Sequence, residues 1–278
     1  MKRVAILGAG VMGKGITEAL LPYGYKVFLH DKNENVLNMS RKEIEFVMKI
    51  NSLQGFSFEY NCFDNLHLVE CLDMLKNIDL IIENITENFG KKEELYKKLS
   101  KVVQKNTIVF VNTSSIPISR LAEMLPYPDK VIGVHFMNPV PLMKSVEVII
   151  SKYTSQDTID ATIGFLEKTN KKAIKVKDCP GFISNRISHI LMNEAAFIVQ
   201  DNEEKPEVVD QIFRECYSHK MGPLETADLI GIDTVVNTLD ELYYELKSEK
   251  YICCQLLRDM VRQGKRGVKS GEGFYRYR

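Results

Sequence analysis

Apolar residues follow two different patterns along the chain, and the pattern changes near residue 178. Before this point, short runs of almost entirely apolar side chains alternate with longer segments whose apolar residues recur every three to four positions. Such runs are typical of buried parallel strands, and such segments are typical of amphipathic helices. After this point only the helical spacing remains. The sequence therefore predicts a doubly wound, mostly parallel α/β sheet followed by a smaller all-helical domain.

The elements can be placed from this pattern. Strands are expected at residues 4–7, 26–31, 65–69, 79–83, 107–111, 131–136, 146–150 and 173–176. Helices of the first region are expected from the first strand's turn to about residue 23 and at 33–53, 72–76, 91–103 and 156–168, with a loop or short excursion at 54–61. Helices of the second region are expected at 181–200, 206–218, 223–247 and 251–262. The predicted domains are residues 1–178 and 179–278.

The first strand runs directly into a glycine-rich motif, GAGVMG, at residues 8–13. Gly8 permits a tight turn, Gly10 leaves no Cβ where a pyrophosphate must approach, and Gly13 allows the helix to pack closely on the strand. The N-terminus of the following helix offers unpaired N–H groups and the positive end of the helix dipole. Glycine spacing alone is weak evidence, but strand, turn and helix in this order predict a Rossmann-type dinucleotide site.

The second predicted strand ends at Asp31, 18 residues after Gly13. A carboxylate at about this spacing accepts hydrogen bonds from the hydroxyls of an adenosine ribose. A 2′-phosphate at the same place would meet like charge, so Asp31 favours NAD over NADP, although the neighbouring Lys32 weakens this preference. The alternative is that Asp31 is an ordinary surface acid at the end of a strand.

Composition narrows the class of partner. The 278 residues are 45% hydrophobic and carry 37 Lys and Arg against 37 Asp and Glu, so no net field attracts nucleic acid or a membrane surface. No apolar run reaches the roughly 18 residues of a membrane helix, and no signal peptide precedes the first strand. The six cysteines lack CxxC and metal-ligand spacing, which favours thiols in a reducing compartment and no metal site. We therefore expect a cytoplasmic protein with small or specific partners.

His135 is the histidine best placed for chemistry. It ends a predicted strand, GVHF, and ligands of open α/β sheets bind at the carboxyl ends of strands. Glu147 follows in the apolar strand SVEVII, where an unpaired carboxylate is costly to bury. Bonded to one imidazole nitrogen, this carboxylate would leave the other nitrogen as a base. Spacing alone does not separate such a pair from a strand-end histidine and an unrelated core acid. The other four histidines are expected to be structural or on the surface.

Ser114 and Asn185 are two further candidates. Ser114 follows a predicted strand and could direct its hydroxyl into the same crevice, but NTSS before IPI is also ordinary helix-capping sequence. Asn185, in PGFISNRI at the start of the helical region, could aim its amide into the crevice or bond locally within the first turn of its helix. The spacing leaves both alternatives open.

Seven ordered motifs make the whole chain resemble the 3-hydroxyacyl-CoA dehydrogenase family, including its 3-hydroxybutyryl-CoA members. The resemblance covers nearly the full length, and the ordered set is far more specific than any single motif. The motifs are GAGVMG, IIENITENFGKKEELYKKL, VNTSS, VIGVHFMNPVPLMKSVEVI, KDCPGFISNRI, MGPLETADLIGID and GVKSGEGFYRY.

The resemblance implies a catalytic set, a cofactor and a quaternary structure. The family's catalytic residues fall on Ser114, His135, Glu147 and Asn185. Its NAD contacts fall on Gly8, Gly10, Val11, Met12, Gly13, Asp31, Glu87, Lys92, Asn112, Ser114 and Lys269. The helical domain resembles the family's dimerisation domain, which implies a homodimer.

The mechanism implied by the resemblance is the interconversion of a 3-hydroxyacyl and a 3-oxoacyl thioester. His135 would remove the proton of the 3-hydroxyl as hydride leaves C3 for the nicotinamide, and Glu147 would stabilise the charge on His135. Ser114 and Asn185 would hydrogen-bond the oxygens of the substrate. A non-catalytic NAD-binding protein on the same scaffold is the alternative from another class, and loss of any of these four residues would have supported it.

Two positions depart from the family. Where the family usually has a hydroxyl residue and, about two turns later, a lysine for the CoA nucleotide, this chain has Val47 and Gln54. Neither side chain binds a phosphate as a lysine does. The segment between Gln54 and Asp79 also looks shorter than the family's helical hairpin, which covers CoA. The acyl group could therefore arrive on CoA or on the phosphopantetheine of an acyl carrier protein, as in relatives that oxidise hydroxyacyl or glyceryl groups for polyketide extender units.

Overall fold

The computed structural model describes residues 2–53 and 60–277 of the chain. The expectation for Gln54 concerns a residue outside these ranges. The chain divides into two compact units, Met1–Asp178 and Cys179–Arg278. The first holds a sheet flanked by helices, and the second is helical. Within the described ranges, every helix is too short or too polar to cross a lipid bilayer.

In residues 2–53 and 60–178, eight strands form one sheet. They are β1 Arg3–Leu7, β2 Lys26–His30, β3 Leu66–Val69, β4 Leu80–Glu83, β5 Ile108–Val111, β6 Val131–His135, β7 Ser145–Ile150 and β8 Lys172–Lys177. Their order across the sheet is β3-β2-β1-β4-β5-β6-β7-β8. Neighbouring strands are parallel except β6 and β7, which are antiparallel. The predicted doubly wound, mostly parallel sheet is confirmed.

The strand order reverses between β1 and β4, because β2 and β3 lie on one side of β1 and the later strands on the other. In open α/β sheets, the carboxyl ends of the strands at such a point form the crevice that binds ligands. β4, β5 and β6 are buried along their whole length, which explains their near-continuous apolar sequences. Glu83 and His135 are the titratable residues in these otherwise apolar strands, and each is the last residue of its strand.

Five α-helices lie in the described residues of the first unit. They are α1 Val11–Leu20, α2 Glu34–Leu53, α3 Phe89–Leu99, α4 Ile118–Ala122 and α5 Gln156–Lys168. A 3-10 turn continues α1 to Tyr23, and Gly24 ends it with φ +73°. The short helix α4 was not predicted, because five residues are too few to display helical periodicity. The first two N–H groups of α4, those of Ile118 and Ser119, donate hydrogen bonds to the carboxylate of Asp178 at 2.9 and 2.8 Å.

Over residues 179–277, the second unit has five α-helices around an apolar core of its own. They are α6 Ser184–Gln200, α7 Pro206–Cys216, α8 Pro223–Ile230, α9 Ile232–Leu246 and α10 Gln255–Arg262. The prediction of one helix over residues 223–247 is wrong, because Gly231 adopts φ +102° and separates α8 from α9. The helix predicted from residue 251 begins only at Gln255, since the N–H of Cys254 bonds the side chain of Asn193 instead.

Candidate active site

The glycine turn after β1 has the geometry of a phosphate-binding turn. Gly8 has φ +100°, and a Cβ built on it would lie 2.8 Å from the backbone oxygen of Asn84. A Cβ on Gly13 would lie 1.9 Å from the Gly8 oxygen, so neither position accepts a side chain. A Cβ on Gly10 would meet no described atom within 4 Å. This open space lies before the first turn of α1, whose N–H groups have no acceptor within the helix, and the arrangement fits a pyrophosphate.

Val11 and Met12 complete the turn in different environments. Val11 is 65% exposed at the first position of α1. Met12 packs against the apolar core of the sheet. If these residues contact NAD, as the resemblance implies, their backbone N–H groups are the suitable donors, because both side chains are apolar.

Asp31 lies just after β2, with its carboxylate turned towards the glycine turn. Oδ2 accepts a hydrogen bond from the N–H of Ala9 at 3.0 Å, and Oδ1 accepts one from the N–H of Asn33 at 3.0 Å. Each carboxylate oxygen keeps a lone pair for a further donor. The carboxylate is therefore both oriented by the protein and able to accept from a ribose diol.

A cleft of about 860 Å³ connects these features. Its lining comes from the glycine turn, the end of β2, the segment after β4 and one face of α3, and it includes Gly8, Gly10, Asp31, Asn84, Ile85 and Leu95. Clefts that bind small molecules commonly have volumes of about 300–1,000 Å³. The volume, the open glycine and the carboxylate together fit a dinucleotide such as NAD.

His135 and Glu147 lie directly opposite each other on the antiparallel strands β6 and β7. His135 Nδ1 is 3.0 Å from Glu147 Oε2. The two residues are only 6% and 8% exposed, so their pairing satisfies a carboxylate that would otherwise be buried at a high cost.

Ser114 extends this pair into a relay of three side chains. It follows β5, the neighbour of β6, and its Oγ lies 3.1 Å from His135 Nε2. Both ring nitrogens of His135 therefore have polar partners. Because the carboxylate of Glu147 can only accept, Nδ1 carries the ring proton and Nε2 accepts the hydroxyl of Ser114.

Glu87 holds the loop that carries Ser114. Its Oε1 accepts hydrogen bonds from the hydroxyl of Thr113 at 2.5 Å and from the N–H groups of Ser114 and Ser115, both at 2.9 Å. The hydroxyl of Ser115 donates to the same oxygen. Burial raises the pKa of Glu87, but the Lys92 charge and these hydrogen bonds outweigh it and hold that pKa below its ordinary value. The loop is therefore built around an ionised carboxylate.

Lys92 is completely buried next to this loop. Its ammonium is 2.7 and 2.9 Å from the two carboxylate oxygens of Glu83 and 3.5 Å from the backbone oxygen of Asn112. The hydroxyl of Tyr96 donates to Glu83 at 3.3 Å. A cation held in this way contributes charge to the end of the sheet but has little freedom to reach outwards. Its role as a contact of NAD stays a prediction.

Asn112 connects the ends of β5 and β6. Its Oδ1 accepts a hydrogen bond from the N–H of Phe136 at 3.2 Å, and its own N–H donates to the backbone oxygen of Glu83 at 2.8 Å. The residue thus fixes the backbone immediately after His135. Its proposed contact with NAD is a separate matter that stays a prediction.

Asn185 and Lys269 belong to the second unit. Asn185 is the second residue of α6, and its backbone oxygen is 3.0 Å from Nδ1 of His189. Lys269 lies in a 3-10 turn and pairs with Asp233 at 2.5 Å. The roles that the resemblance gives to these two residues stay predictions.

Sequence reasoning missed two functional supports in the first unit. Glu83 ends an apolar strand just as Glu147 interrupts one, so the argument from the cost of a buried carboxylate applied equally to both. Asn84 bonds only backbone carbonyls, of Leu7 and Gly8, and contacts of this kind leave no signature in a sequence.

Comparison with known proteins places the chain in one family. The model for the 3-hydroxyacyl-CoA dehydrogenase NAD binding domain matches residues 3–179, and the model for the C-terminal domain of the same family matches residues 181–277. The chain is 37% identical over 280 residues to the probable 3-hydroxybutyryl-CoA dehydrogenase of Bacillus subtilis, covering 100% of this chain and 98% of the relative. It is 35% identical over 280 residues to the 3-hydroxybutyryl-CoA dehydrogenase of Clostridioides difficile, covering 99% of each.

A solved structure agrees in fold over the whole length. The crystal structure of (S)-3-hydroxybutyryl-CoA dehydrogenase from Ralstonia eutropha has a TM-score of 0.94 to this chain at 34% identity, covering 100% of this chain and 99% of that one. Matches of both family models, close relatives and a common fold agree with the seven ordered motifs. This chain therefore belongs to the 3-hydroxyacyl-CoA dehydrogenase family.

Proposed function

We propose that this chain is an NAD-dependent dehydrogenase that interconverts 3-hydroxyacyl and 3-oxoacyl thioesters. The observation that carries the proposal is the relay from Ser114 through His135 to Glu147 at the sheet edge that also forms the dinucleotide cleft. Family membership supports the same reaction. A non-catalytic NAD-binding protein would have no need of this buried relay.

In the proposed reaction, Nε2 of His135 takes the proton of the substrate's 3-hydroxyl. The C–O bond becomes a carbonyl as the C3–H bond breaks, and NAD supplies the acceptor for the hydride. Glu147 stabilises the imidazolium that forms, while Ser114 hydrogen-bonds the reacting oxygen. In the reverse direction, His135 returns the proton to the alkoxide oxygen. General-base catalysis of this kind is worth on the order of 10²–10⁴ in rate.

The remaining family roles are part of the same proposal. The glycine turn and Asp31 bind the pyrophosphate and the adenosine ribose of NAD. Glu87, Lys92, Asn112 and Lys269 are proposed cofactor contacts, and Asn185 is proposed to donate its amide to a substrate oxygen. The ionised carboxylate of Glu87 and the buried charge of Lys92 support roles at the cofactor site.

We also propose that the chain forms a homodimer through its helical unit. α6 and the residue before it leave apolar side chains exposed, with Ile183 at 52% and Ile187 at 65%. Burying such side chains between two copies would stabilise a dimer. Sedimentation of the purified chain at micromolar concentration tests this proposal, since a purely monomeric species would contradict it.

We further propose a reducing, cytosolic environment for the enzyme. The six cysteines all lie in the described ranges, and none forms a disulfide. Fractionation of the producing cells tests the location, because recovery of the enzyme outside the cytosol would contradict it.

The carrier of the acyl group is open to two proposals, CoA and an acyl carrier protein. The names of the relatives support CoA. Val47 supports a carrier protein, because it is an apolar, 36% exposed residue of α2 where the family pattern has a hydroxyl residue for the CoA nucleotide. Met39 and Phe46 of the same helix are also exposed, at 61% and 65%, so Val47 is not the only apolar side chain that α2 leaves exposed.

One assay tests the reaction and its carrier together. The same 3-hydroxybutyryl group is presented on CoA and on a phosphopantetheinylated carrier protein, and formation of the reduced cofactor is followed with NAD and with NADP. We expect NADH formation with NAD on at least one carrier and a clear preference for NAD. No turnover on either carrier would contradict the proposed function, and a much higher kcat/KM on CoA would exclude the carrier-protein alternative.

A further inference from the structure

The peptide between Gly8 and Ala9 is held at both of its ends by side chains. Its carbonyl oxygen accepts a hydrogen bond from Nδ2 of Asn84 at 2.9 Å. Its N–H donates to Oδ2 of Asp31 at 3.0 Å. Nδ2 of Asn84 also donates to the backbone oxygen of Leu7 at 3.1 Å. The side-chain amide of Asn84 thus donates hydrogen bonds to two successive backbone carbonyls at the glycine turn.

The orientation of the Asn84 amide follows from its partners. Carbonyl oxygens only accept, so the NH₂ end of the amide must face Leu7 and Gly8. This orientation leaves Oδ1 buried with no hydrogen-bond partner among the described residues. A buried acceptor without a donor costs stability. The orientation of Asn84 that holds the glycine turn therefore lowers the stability of the folded chain. Asn84 lies on the wall of the dinucleotide cleft.

The hydrogen bond from Asn84 also affects the position of the Asp31 carboxylate, because both side chains bond the Gly8–Ala9 peptide. A peptide unit is planar, so fixing the direction of its C=O also fixes the direction of its N–H. The N–H of Ala9 then determines where Oδ2 of Asp31 lies, and the N–H of Asn33 holds Oδ1. The glycine turn therefore fixes the direction of the remaining lone pairs on the two oxygens of Asp31 before a ligand binds.

We propose that Asn84 is a positioning residue for NAD, which acts by fixing the Gly8–Ala9 peptide and, through it, the carboxylate of Asp31 that receives the adenosine ribose. This inference rests on the proposed function and deepens it, because it assigns the affinity for the adenosine half of NAD to a side chain that need not touch NAD. It separates the binding of the cofactor from the acid–base chemistry at His135.

The inference predicts a selective effect of Asn84→Ala. Binding of ADP-ribose, which carries the adenosine and pyrophosphate parts of NAD, should weaken about tenfold, as expected for loss of an oriented hydrogen bond to a charged group. The KM for NAD should rise by a similar factor, whereas kcat and the KM for the acyl substrate should change less than about twofold. Asn84→Asp keeps the size of the side chain but has no N–H donor, so it should weaken ADP-ribose binding at least as much.

The experiment measures ADP-ribose binding to the full chain by titration calorimetry. A double-mutant cycle combines Asn84→Ala with Asp31→Ala, since a residue that acts through Asp31 should have little further effect once Asp31 is removed. Thr107→Val is the matched control in the same unit. Its Oγ1 donates a buried hydrogen bond to Ile78 at 2.8 Å far from the cleft, so its loss should lower Tm without changing ADP-ribose binding.

The outcomes separate the inference from the proposed function. Weakened binding in both Asn84 variants, with a change below about twofold in the Asp31→Ala background, supports the inference. Unchanged binding in Asn84→Ala, or effects of the two substitutions that multiply independently, would overturn it while leaving the NAD site intact. A wild-type chain that does not bind ADP-ribose would overturn the cofactor site and the inference together.

Discussion

His135 shows how two ordinary contacts can prepare an imidazole to act as a base. The carboxylate of Glu147 fixes the proton on Nδ1, and the hydroxyl of Ser114 occupies the lone pair of Nε2. A substrate hydroxyl that displaces the hydroxyl of Ser114 from Nε2 would find a ring already in the correct tautomer and orientation. The reaction then requires no rotation of the imidazole, which keeps the reorganisation of the site small.

A second buried histidine gives a test of stability rather than of activity. His189 is 3% exposed, its Nδ1 bonds the backbone oxygen of Asn185, and its Nε2 is buried without a partner among the described residues. Burial lowers the pKa of His189 from 6.5 to about 4. The native state therefore binds a proton less readily than the unfolded chain, and the associated stability is present above pH 6.5 and lost as the pH falls towards 4.

His189→Leu should remove this pH dependence. Between pH 7 and pH 5 the wild type should lose about 2 kcal/mol more of its free energy of unfolding than the variant does. Urea denaturation at the two pH values measures the difference. The exposed His219 offers the control, because His219→Gln removes an imidazole that is not buried. An identical loss in the wild type and in His189→Leu would contradict the assignment.

Single residues also show where sequence reasoning succeeds. The cost of burying a carboxylate made Glu147 a candidate partner of His135, and the structure pairs the two side chains. The same argument applied to Glu83, but it could not name the partners Lys92 and Tyr96, which lie on the following helix. Contacts between a side chain and backbone, such as those of Asn84, depend on loop geometry and have no periodicity to detect.

At the scale of elements, the proposed active site depends on one antiparallel pairing. β6 and β7 are paired so that His135 faces Glu147, and a shift of one residue would turn Glu147 to the other face of the sheet. The apolar runs predicted both strands but not their relative direction, since buried strands look alike in parallel and antiparallel pairs. The contact between the two residues was therefore a hypothesis until the register was known.

The break between α8 and α9 is a second feature that apolar periodicity could not predict. Apolar spacing continues through Gly231 without interruption, yet this residue has φ +102° and a Cβ on it would lie 2.7 Å from Nζ of Lys269. Glycine alone among the amino acids adopts such a φ at no steric cost. A glycine inside an apolar repeat is thus an ambiguous signal that only the backbone resolves.

Substitution of two glycines should have opposite effects on stability. Gly231→Ala should lower the free energy of unfolding by about 1–3 kcal/mol, because alanine is strained at this φ and crowds Lys269. Gly164→Ala should raise it by about 0.5–1 kcal/mol, because this residue lies within α5 and a Cβ would meet no described atom within 4 Å. Tm values measured side by side check both signs. A stable Gly231→Ala protein would show that the two helices can join.

At the scale of the whole molecule, the candidate residues are divided between the two units. The first contains the dinucleotide cleft and the relay of Ser114, His135 and Glu147, and the second contains Asn185 and Lys269, whose roles stay predictions. The change in apolar pattern predicted the type of each unit, and seven motifs indicated the family. The carrier of the acyl group could not be predicted, because the argument for it rests on a few surface residues such as Val47 rather than on the fold.

His135 is proposed to perform the proton transfer while other residues bind NAD. Comparison of kcat/KM for the acyl substrate with the Kd for NADH in His135→Gln tests this assignment. We predict a fall in kcat/KM of at least about 10² with a Kd for NADH within twofold of the wild type, because the imidazole acts in the reaction rather than in cofactor binding. Retained turnover in His135→Gln, or an equal loss of NADH affinity, would contradict it.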